Sequence, residues 1–482
     1  MISRSTVNFC IAIVAGCLGS GLTSSARGAD GGGQSVLLDS AWKPVGSMST
    51  ARTAHVSAVT RGRWFVGGGG ADTSGNFLAS VEVYDPAIGS WQKLVPLMTG
   101  RTEMGVAADS LSGKVLFAGG KPPNSLPYYA TGEADLGDGT AWSASSLLTP
   151  RYAHAAAFAA GKYIVSGGYS TSNGQLADAE SMDSGGSSWT SAGTMPSGPR
   201  SYHAMTTLAD GHTVLVSGGS TGQALASADL FDAVTGTWRK ASSMQVARVS
   251  SGVVLLQDER VLVTGGESGI PNLASCEIYS PASDSWSPAA SMQSARSLHS
   301  AVLLPDGRVL VAGGSNDGAH VQQGALGSVE IYDPKLDSWI AGPSLHDRRV
   351  WQQAAVLADG VYVTGGENQS SQVLASTERL AFVTPGQGDA GDDGGGGADS
   401  GGAAAVEASG TDGAGPSSSD APSAGDTSSG YPTDGSAQAS SVGTSGGCGC
   451  STAATRENAG PLLAAFASLA LAVVRERRRR NG

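Results

Sequence analysis

Charged side chains are scarce in this chain. Asp, Glu, Lys and Arg make up 15% of its 482 residues, and acids exceed bases to give a formal net charge of −12. Proteins that bind nucleic acid usually carry a basic patch, so this balance predicts no nucleic-acid partner. The sequence also lacks the nucleophile elbow, the phosphate-binding loop and the zinc-ligand spacings of common enzyme classes. These absences weigh against an enzyme and predict neither a cofactor nor a metal.

Cysteine is equally sparse, with five copies. Four of them lie near the ends of the chain, at Cys10, Cys17, Cys448 and Cys450. Cys276 is therefore alone in the long middle region, and a disulfide framework is excluded there.

Glycine, by contrast, has 71 copies, and part of it recurs in register. A glycine doublet returns about every fifty residues, and a tryptophan keeps the same period. The doublets start at Gly67, Gly119, Gly167, Gly218, Gly265, Gly313 and Gly365; the tryptophans are Trp42, Trp91, Trp142, Trp189, Trp238, Trp286 and Trp339. Four short strands per unit at this period predict an all-β fold, a seven-bladed β-propeller over residues 36–384.

The order of the two markers predicts how the ring closes. Trp42 precedes every doublet, and no tryptophan of the series follows Gly365-Gly366. The N-terminal strand around Trp42 should therefore complete the blade that begins at Arg348. Such closure would remove a free sheet edge.

The clearest unit runs from Ser294 to Trp339 and contains Gly313-Gly314, Tyr332 and Trp339. It resembles the kelch repeat family, whose units carry a glycine doublet, a downstream Tyr and a Trp. The resemblance implies a propeller. It also implies a similarity to galactose oxidase, a kelch propeller whose copper site uses a Tyr cross-linked to Cys, a second Tyr and two His. Cys276, however, stands where other blades have Val81 and Val329, which favours a small apolar role.

Two charged positions recur with the blades. An arginine opens each first strand: Arg52, Arg101, Arg151, Arg200, Arg248, Arg296 and Arg348. An acid opens each third strand: Glu82, Glu133, Glu180, Asp229, Glu277, Glu330 and Glu378. We expect structural ion pairs, with the glycine doublet bare so that the arginine reaches across it. The alternative is a ring of arginines that binds an acidic ligand.

Histidine stands three residues after the arginine in four blades, at His55, His154, His203 and His299. A metal ring is one interpretation, but a shared residue more often serves the repeat. Counting from Arg348, the last blade has Trp351 there, the one aromatic in the series and a candidate ligand contact.

Binding residues usually lie in variable loops on a rigid scaffold. Because strands alternate in direction, the loops between second and third strands share one face with the connections between blades; we call it the working face. Its longest loops are 121–131, with Tyr128 and Tyr129, and 315–327, with Asn316, Asp317 and His320. These residues are the candidate contacts to a glycan or protein ligand.

Both ends of the chain resemble addressing signals. Residues 1–26 predict a signal peptide, with Arg4 before an apolar run. Two cleavage sites fit: one after Ala26, and one before Cys17, whose context resembles the lipobox of bacterial lipoproteins. Residues 385–447 are rich in Gly, Ala, Ser and Asp and predict a disordered acidic linker.

Residues 448–482 carry Cys448 and Cys450, an uncharged run over 459–474 and then an arginine cluster. This order resembles the tripartite C-terminal sorting signals of myxobacterial exported proteins, which implies processing near the cysteines and retention at the envelope. A permanent membrane anchor is the alternative. The sequence thus predicts an exported binding or adhesion module at the cell surface or outer membrane, with a carbohydrate-active oxidase or an envelope scaffold as alternatives.

Overall fold

The structure is a computed structural model, and it describes residues 36–71, 76–123, 129–269 and 272–383. These residues contain strands and turns but no helix, and they belong to the first of two units of the chain, Met1–Gly388. No helix within these ranges is long and apolar enough to cross a membrane. The signal peptide, the linker, the C-terminal segment and Cys17, Cys448 and Cys450 all lie outside the described residues, so their roles remain predictions.

Within the described residues, seven radial sheets form the propeller blades, and an eighth sheet is a separate two-stranded hairpin. The chain begins with β1 (Leu37–Leu38) and β2 (Lys43–Val45). Blade 1 contains β3 (Val56–Thr60), β4 (Arg63–Gly67), β5 (Val81–Asp85) and β6 (Ser90–Lys93). Blade 2 contains β7 (Gly105–Asp109), β8 (Lys114–Ala118), β9 (Glu133–Gly137) and β10 (Trp142–Ser146). Blade 3 contains β11 (Ala155–Ala159), β12 (Lys162–Ser166), β15 (Asp178–Asp183) and β16 (Thr190–Thr194), with a small hairpin, β13 (Tyr169–Ser170) and β14 (Gly174–Gln175), between its second and third strands.

Blades 4 to 7 continue the pattern. Blade 4 contains β17 (Ala204–Thr207), β18 (Thr213–Ser217), β19 (Ala228–Asp232) and β20 (Thr237–Ala241). Blade 5 contains β21 (Gly252–Leu255), β22 (Val261–Thr264), β23 (Cys276–Ser280) and β24 (Ser285–Ala289). Blade 6 contains β25 (Ser300–Leu303), β26 (Val309–Ala312), β27 (Val329–Asp333) and β28 (Ser338–Gly342). Blade 7 contains β29 (Gln353–Leu357), β30 (Gly360–Thr364) and β31 (Thr377–Val383).

The second strands show why the sequence folds this way. They read as continuous apolar runs, such as VLVA over Val309–Ala312, and all four residues of that strand are buried. A strand can be apolar on both faces only when both faces are covered, and here a neighbouring blade covers each face. The hydrophobic cores accordingly lie between blades: Phe65 of blade 1 and Phe117 of blade 2 share one such cluster.

The N-terminal strands close the ring, which confirms the closure predicted from Trp42. Strands β1 and β2 both pair with β31 and supply the outer edge of blade 7. The indole Nε1 of Trp42 donates to the carbonyl of Pro343 in blade 6, at 2.8 Å. On the inner side, the amide of Gly366 donates to the carbonyl of Arg52 in blade 1, at 2.8 Å. The first and last parts of the propeller are therefore joined by several separate contacts.

The other repeated tryptophans make the same kind of link. Each indole Nε1 donates to the preceding blade: Trp91 to Thr377 Oγ1, Trp142 to Val95 O, Trp189 to Ser145 Oγ, Trp238 to Ala192 O, Trp286 to Ser242 O and Trp339 to Ala290 O, at 2.7–3.1 Å. The tryptophan thus recurs because a large apolar ring that also donates one hydrogen bond fits each junction between blades.

Candidate functional site

An arginine–carboxylate pair lies within each blade. In blade 6 the Arg296 guanidinium donates to Glu330 Oε1 at 2.6 Å and to the carbonyl of Gly313 at 2.8 Å. Equivalent pairs are Arg52–Glu82, Arg101–Asp135, Arg151–Glu180, Arg200–Asp229, Arg248–Glu277 and Arg349–Glu378, at 2.5–2.8 Å. All seven arginines are buried. They are therefore occupied inside the blades and do not present charge to a ligand.

The carboxylates have further partners. Glu330 accepts from the backbone amides of Gln293 and Ser294, at 2.6 and 3.1 Å. These amides belong to the connection that enters the blade, so the pair in blade 6 holds that connection against the third strand. Burial lowers the pKa of Arg296, and the neighbouring Glu330 opposes this shift.

Two blades differ from the pattern expected from spacing. In blade 2, Asp135 occupies the buried acid position with its side chain 1% exposed, whereas that of Glu133 is 38% exposed and also contacts Arg101. The cause is a shorter hairpin: Gly137 pairs with Trp142, whereas in blade 6 Tyr332 pairs with Trp339. Counting back from the tryptophan therefore finds an acid that does pair with Arg101 but misses the buried one.

In blade 7 the arginine position is Arg349, not Arg348. Arg349 is buried and bonds Glu378, while Arg348 is exposed. Adjacent arginines made the choice ambiguous in the sequence. The residue three positions after Arg349 is therefore Gln352, and Trp351 stands two positions after the arginine instead of three.

The glycine doublets have a different cause from the one expected. The doublet of blade 1 is Gly68-Gly69, one position beyond the one expected, because it is the amide of Gly69 that donates to the carbonyl of the next blade's arginine, Arg101. In blade 6, Gly313 and Gly314 have φ of 65° and 88°, a region that favours glycine. A Cβ on Gly313 would lie 2.8 Å from the carbonyl of Arg349 in blade 7. The doublet lacks side chains because the backbones of two blades meet there, and not because the arginine needs room to reach the acid.

The four histidines lie in these same junctions. The ring of His154 packs against Gly119 of blade 2, and that of His299 against Gly265 of blade 5. Burial, reinforced by the nearby arginines, lowers the pKa of His154 and of His299 to about 3 and that of His55 and His203 well below 6.5. All four are neutral spacers, and the described residues contain no group of three His, Cys, Asp or Glu that could hold a metal ion.

The channel mouth on the working face is bounded by seven residues with left-handed backbone: Ala54, Glu103, Ala153, Tyr202, Ser250, Leu298 and Trp351, with φ of 50–57°. Trp351 is 1% exposed and packs with Leu298 and with Val321 and Ala325 of loop 315–327. That loop is held by Gln369, whose amide donates to the carbonyl of Gln323 at 3.1 Å. Trp351 therefore lies beneath the loop rather than on the surface.

The other candidates in loop 315–327 are accessible. Asn316 and His320 are exposed. Asp317 accepts from the amides of Ala319 and His320, and these bonds lower its pKa. Its second oxygen lies 3.3 Å from His320 Nδ1. Asn316, Asp317 and His320 thus form one small polar group in blade 6.

Tyr129 lies in blade 2, on the other side of the ring from that group, and it is 52% exposed. Tyr128 lies outside the described residues. Tyr129 is followed by Ala130, whose amide donates to Thr171 Oγ1 of the blade 3 hairpin at 2.8 Å. The loops of blades 2 and 3 are therefore in contact next to Tyr129.

Beside that contact lies a cluster that the sequence reasoning missed. Tyr152 and Tyr169 have ring centroids 5.4 Å apart, and the ammonium of Lys121 lies 4.3 Å from the centre of the Tyr152 ring. Lys121 pairs with Glu103 at 2.6 Å, and Tyr202 donates to Glu103 at 3.2 Å. Aligning the residue after each arginine with the residue after each doublet would have revealed that only blade 3 has tyrosine at both positions.

Comparisons with known proteins agree with this architecture. Residues 153–366 match the KLHDC2/KLHL20/DRC7 Kelch-repeats domain, and residues 51–98 match the Kelch motif. The blades are kelch repeats. No curated protein sequence matches the chain.

The kelch propeller is also similar to solved structures. One is described as "Novel fungal alcohol oxidase with catalytic diversity among the AA5 family, in complex with copper", with a TM-score of 0.58, 15% identity and coverage of 71% of this chain and 76% of the other. Another is the "Structure of YjhT", with a TM-score of 0.50, 13% identity and coverage of 62% and 99%. At these identities the likeness shows the fold alone.

The described residues of this kelch propeller do not fit the copper site of galactose oxidase. Cys276 is buried between blades 5 and 6 among apolar side chains, and burial raises its pKa to about 12. The four buried histidines lie in four different blades, and among the described residues no three His, Cys, Asp or Glu side chains form a group that could hold a metal ion. No step of copper chemistry follows from this arrangement.

Proposed function

We propose that this kelch propeller is an exported, cell-envelope-attached binding module whose working face contacts a glycan or a protein. The main support is that the recurrent and the non-recurrent residues of the repeats have different environments. The recurrent arginines, acids, histidines and tryptophans are taken up by contacts within and between blades. The residues that do not recur, among them His320 and Tyr129, lie exposed on working-face loops.

Attachment to the envelope rests on the two end segments and needs its own test. Fractionation of cells that express the full chain should recover it in the envelope, and replacing Cys448 and Cys450 with Ser should release it to the medium. Replacing Cys17 with Ser distinguishes the two predicted cleavage sites, because only cleavage as a lipoprotein requires the Cys17 thiol. Recovery of the wild type in the cytosol would refute export.

Binding can be tested with the full chain on arrays of glycans and of envelope proteins. Tyr129→Ser and His320→Ala each change an exposed side chain on one sector of the working face. Leu336→Ser is the matched control, since Leu336 is 72% exposed in a turn on the opposite face. We expect one working-face variant to lose binding while the control keeps it. Loss in the control alone would place the ligand on the wrong face, and no binding by the wild type would favour a scaffold.

A further inference from the structure

The tyrosine pair of blade 3 lies at positions where the fold does not need tyrosine. Residues Tyr152 and Tyr169 bridge each other, as do Ser201 and Ser220 in blade 4 and Ser297 and Ser315 in blade 6. Serine therefore satisfies the same backbone geometry in two other blades. Tyr169 is nevertheless 37% exposed, so its ring is held at the surface without being required by a core.

The hairpin that carries Tyr169 is polar and has no charged side chain. Tyr169 begins the hairpin of β13 and β14, whose turn carries Thr171, Ser172 and Asn173. Gln175 at the end of the hairpin donates to Ser201 Oγ and to the carbonyl of Ser220, at 3.2 and 2.8 Å. Blade 2 contacts the same hairpin through Ala130. Three blades thus build one rigid surface of tyrosine, hydroxyl and amide groups, a composition that is typical of binding loops.

The charges at this place select among ligand classes. The ammonium of Lys121 already occupies the position over the ring of Tyr152, at 4.3 Å, so a ligand cation cannot take that place. Glu103 neutralises Lys121 at 2.6 Å, and both side chains are buried, so an anion gains little from the lysine. A neutral ligand fits these conditions better than a charged one.

From this geometry we infer that the exposed ring of Tyr169, supported by Tyr152 behind it, forms the platform of a subsite for a neutral oligosaccharide. The inference rests on the proposed function and names the ligand class. A sugar ring has an apolar C–H face that packs on an aromatic ring, while its hydroxyls exchange hydrogen bonds with the hydroxyl and amide groups around it. Aromatic side chains with a few convergent polar groups are the usual lining of a small-ligand site.

The test uses the full chain on an array of neutral, uronic-acid and sulfated oligosaccharides, followed by calorimetry with the best neutral ligand. The double variant Tyr152→Ser/Tyr169→Ser installs the residues of blades 4 and 6, so it should fold like the wild type. We expect it to bind at least about tenfold more weakly, because truncating a contacting aromatic side chain commonly costs that much. Tyr169→Phe keeps the ring and should retain binding, as should Leu336→Ser on the opposite face.

Other outcomes overturn the inference. Neutral-glycan binding that is unchanged in the double serine variant would refute the platform, and if His320→Ala abolished it the proposed function would still stand. Tyrosine-dependent binding of only sulfated or uronic-acid glycans would refute the neutral class. A protein captured on the working face with no glycan bound would refute a sugar subsite altogether.

Discussion

The buried histidines should make this propeller sensitive to acid. His154 and His299 are neutral in the fold, with a pKa of about 3 because burial disfavours the charged ring. In the unfolded chain an imidazole has its ordinary pKa of about 6.5. Since the folded-state pKa is the lower one, unfolding takes up a proton from each ring, and stability falls as the pH drops below about 6.5.

The size of this effect follows from the two pKa values. Each pKa unit corresponds to about 1.4 kcal/mol, so at pH 5 each of the two rings favours unfolding by about 2 kcal/mol. Together, His154 and His299 should lower the free energy of unfolding by about 4 kcal/mol between pH 7 and pH 5. His55 and His203, whose pKa values are also lowered by burial, act in the same direction.

The variant His154→Met/His299→Met isolates this contribution. Methionine already fills the equivalent position in blade 2 as Met104, so the junctions should accept it. Urea unfolding followed by tryptophan fluorescence gives the free energy of unfolding at both pH values. The double variant should lose about 4 kcal/mol less than the wild type over that range. His320→Met, on an exposed loop, controls for the loss of a histidine as such, and parallel pH profiles for the wild type and the double variant would refute the reasoning.

Three further predictions address the architecture. Asp135→Asn should lower the free energy of unfolding by about 3 kcal/mol, because it removes the buried carboxylate beside Arg101 and leaves only the partly exposed Glu133 as its partner. Glu133→Gln, on a side chain that is 38% exposed, should cost less than about 1 kcal/mol. Equal losses in urea titrations would contradict the assignment. Arg349→Met should lower the free energy of unfolding by about 3–5 kcal/mol, whereas Arg348→Met should hardly change it. The reverse order would show that Arg348 is the buried partner of Glu378. Trp42→Phe removes the indole hydrogen bond that links blade 7 to blade 6, and it should lower the free energy of unfolding by about 1 kcal/mol in the same assay. Deleting residues 36–45 should open the ring and so broaden the unfolding transition. An unchanged, sharp transition would mean that the ring closes without these strands.

Much of the fold could be read from the repeat. A unit that cannot bury its own faces must stack on its neighbours, so a period of about fifty residues with glycine and tryptophan in register leads to a propeller. The closure followed from the order of markers alone, since Trp42 had no doublet before it. That inference needed no distances.

The register within a blade was less accessible. In blade 2, spacing from the tryptophan found Glu133, which pairs with Arg101, but missed Asp135, which a shorter hairpin places in the buried acid position. It also failed to separate Arg348 from Arg349, because two adjacent residues of one type carry no signal of which side chain points inward. Strand pairing decides both.

By itself, the sequence determined the fold class, the number of blades and the strand that closes the ring, because these depend on periodic burial, which is local and repeated. Only the tertiary structure decided what each recurrent residue does and which residues remain for a ligand. Trp351 is covered by a loop from the preceding blade, and Tyr152 meets Tyr169 through a bridge between separate strand ends. Contacts of that kind join residues from different elements, so they follow from how the blades and loops pack and not from any spacing along the chain.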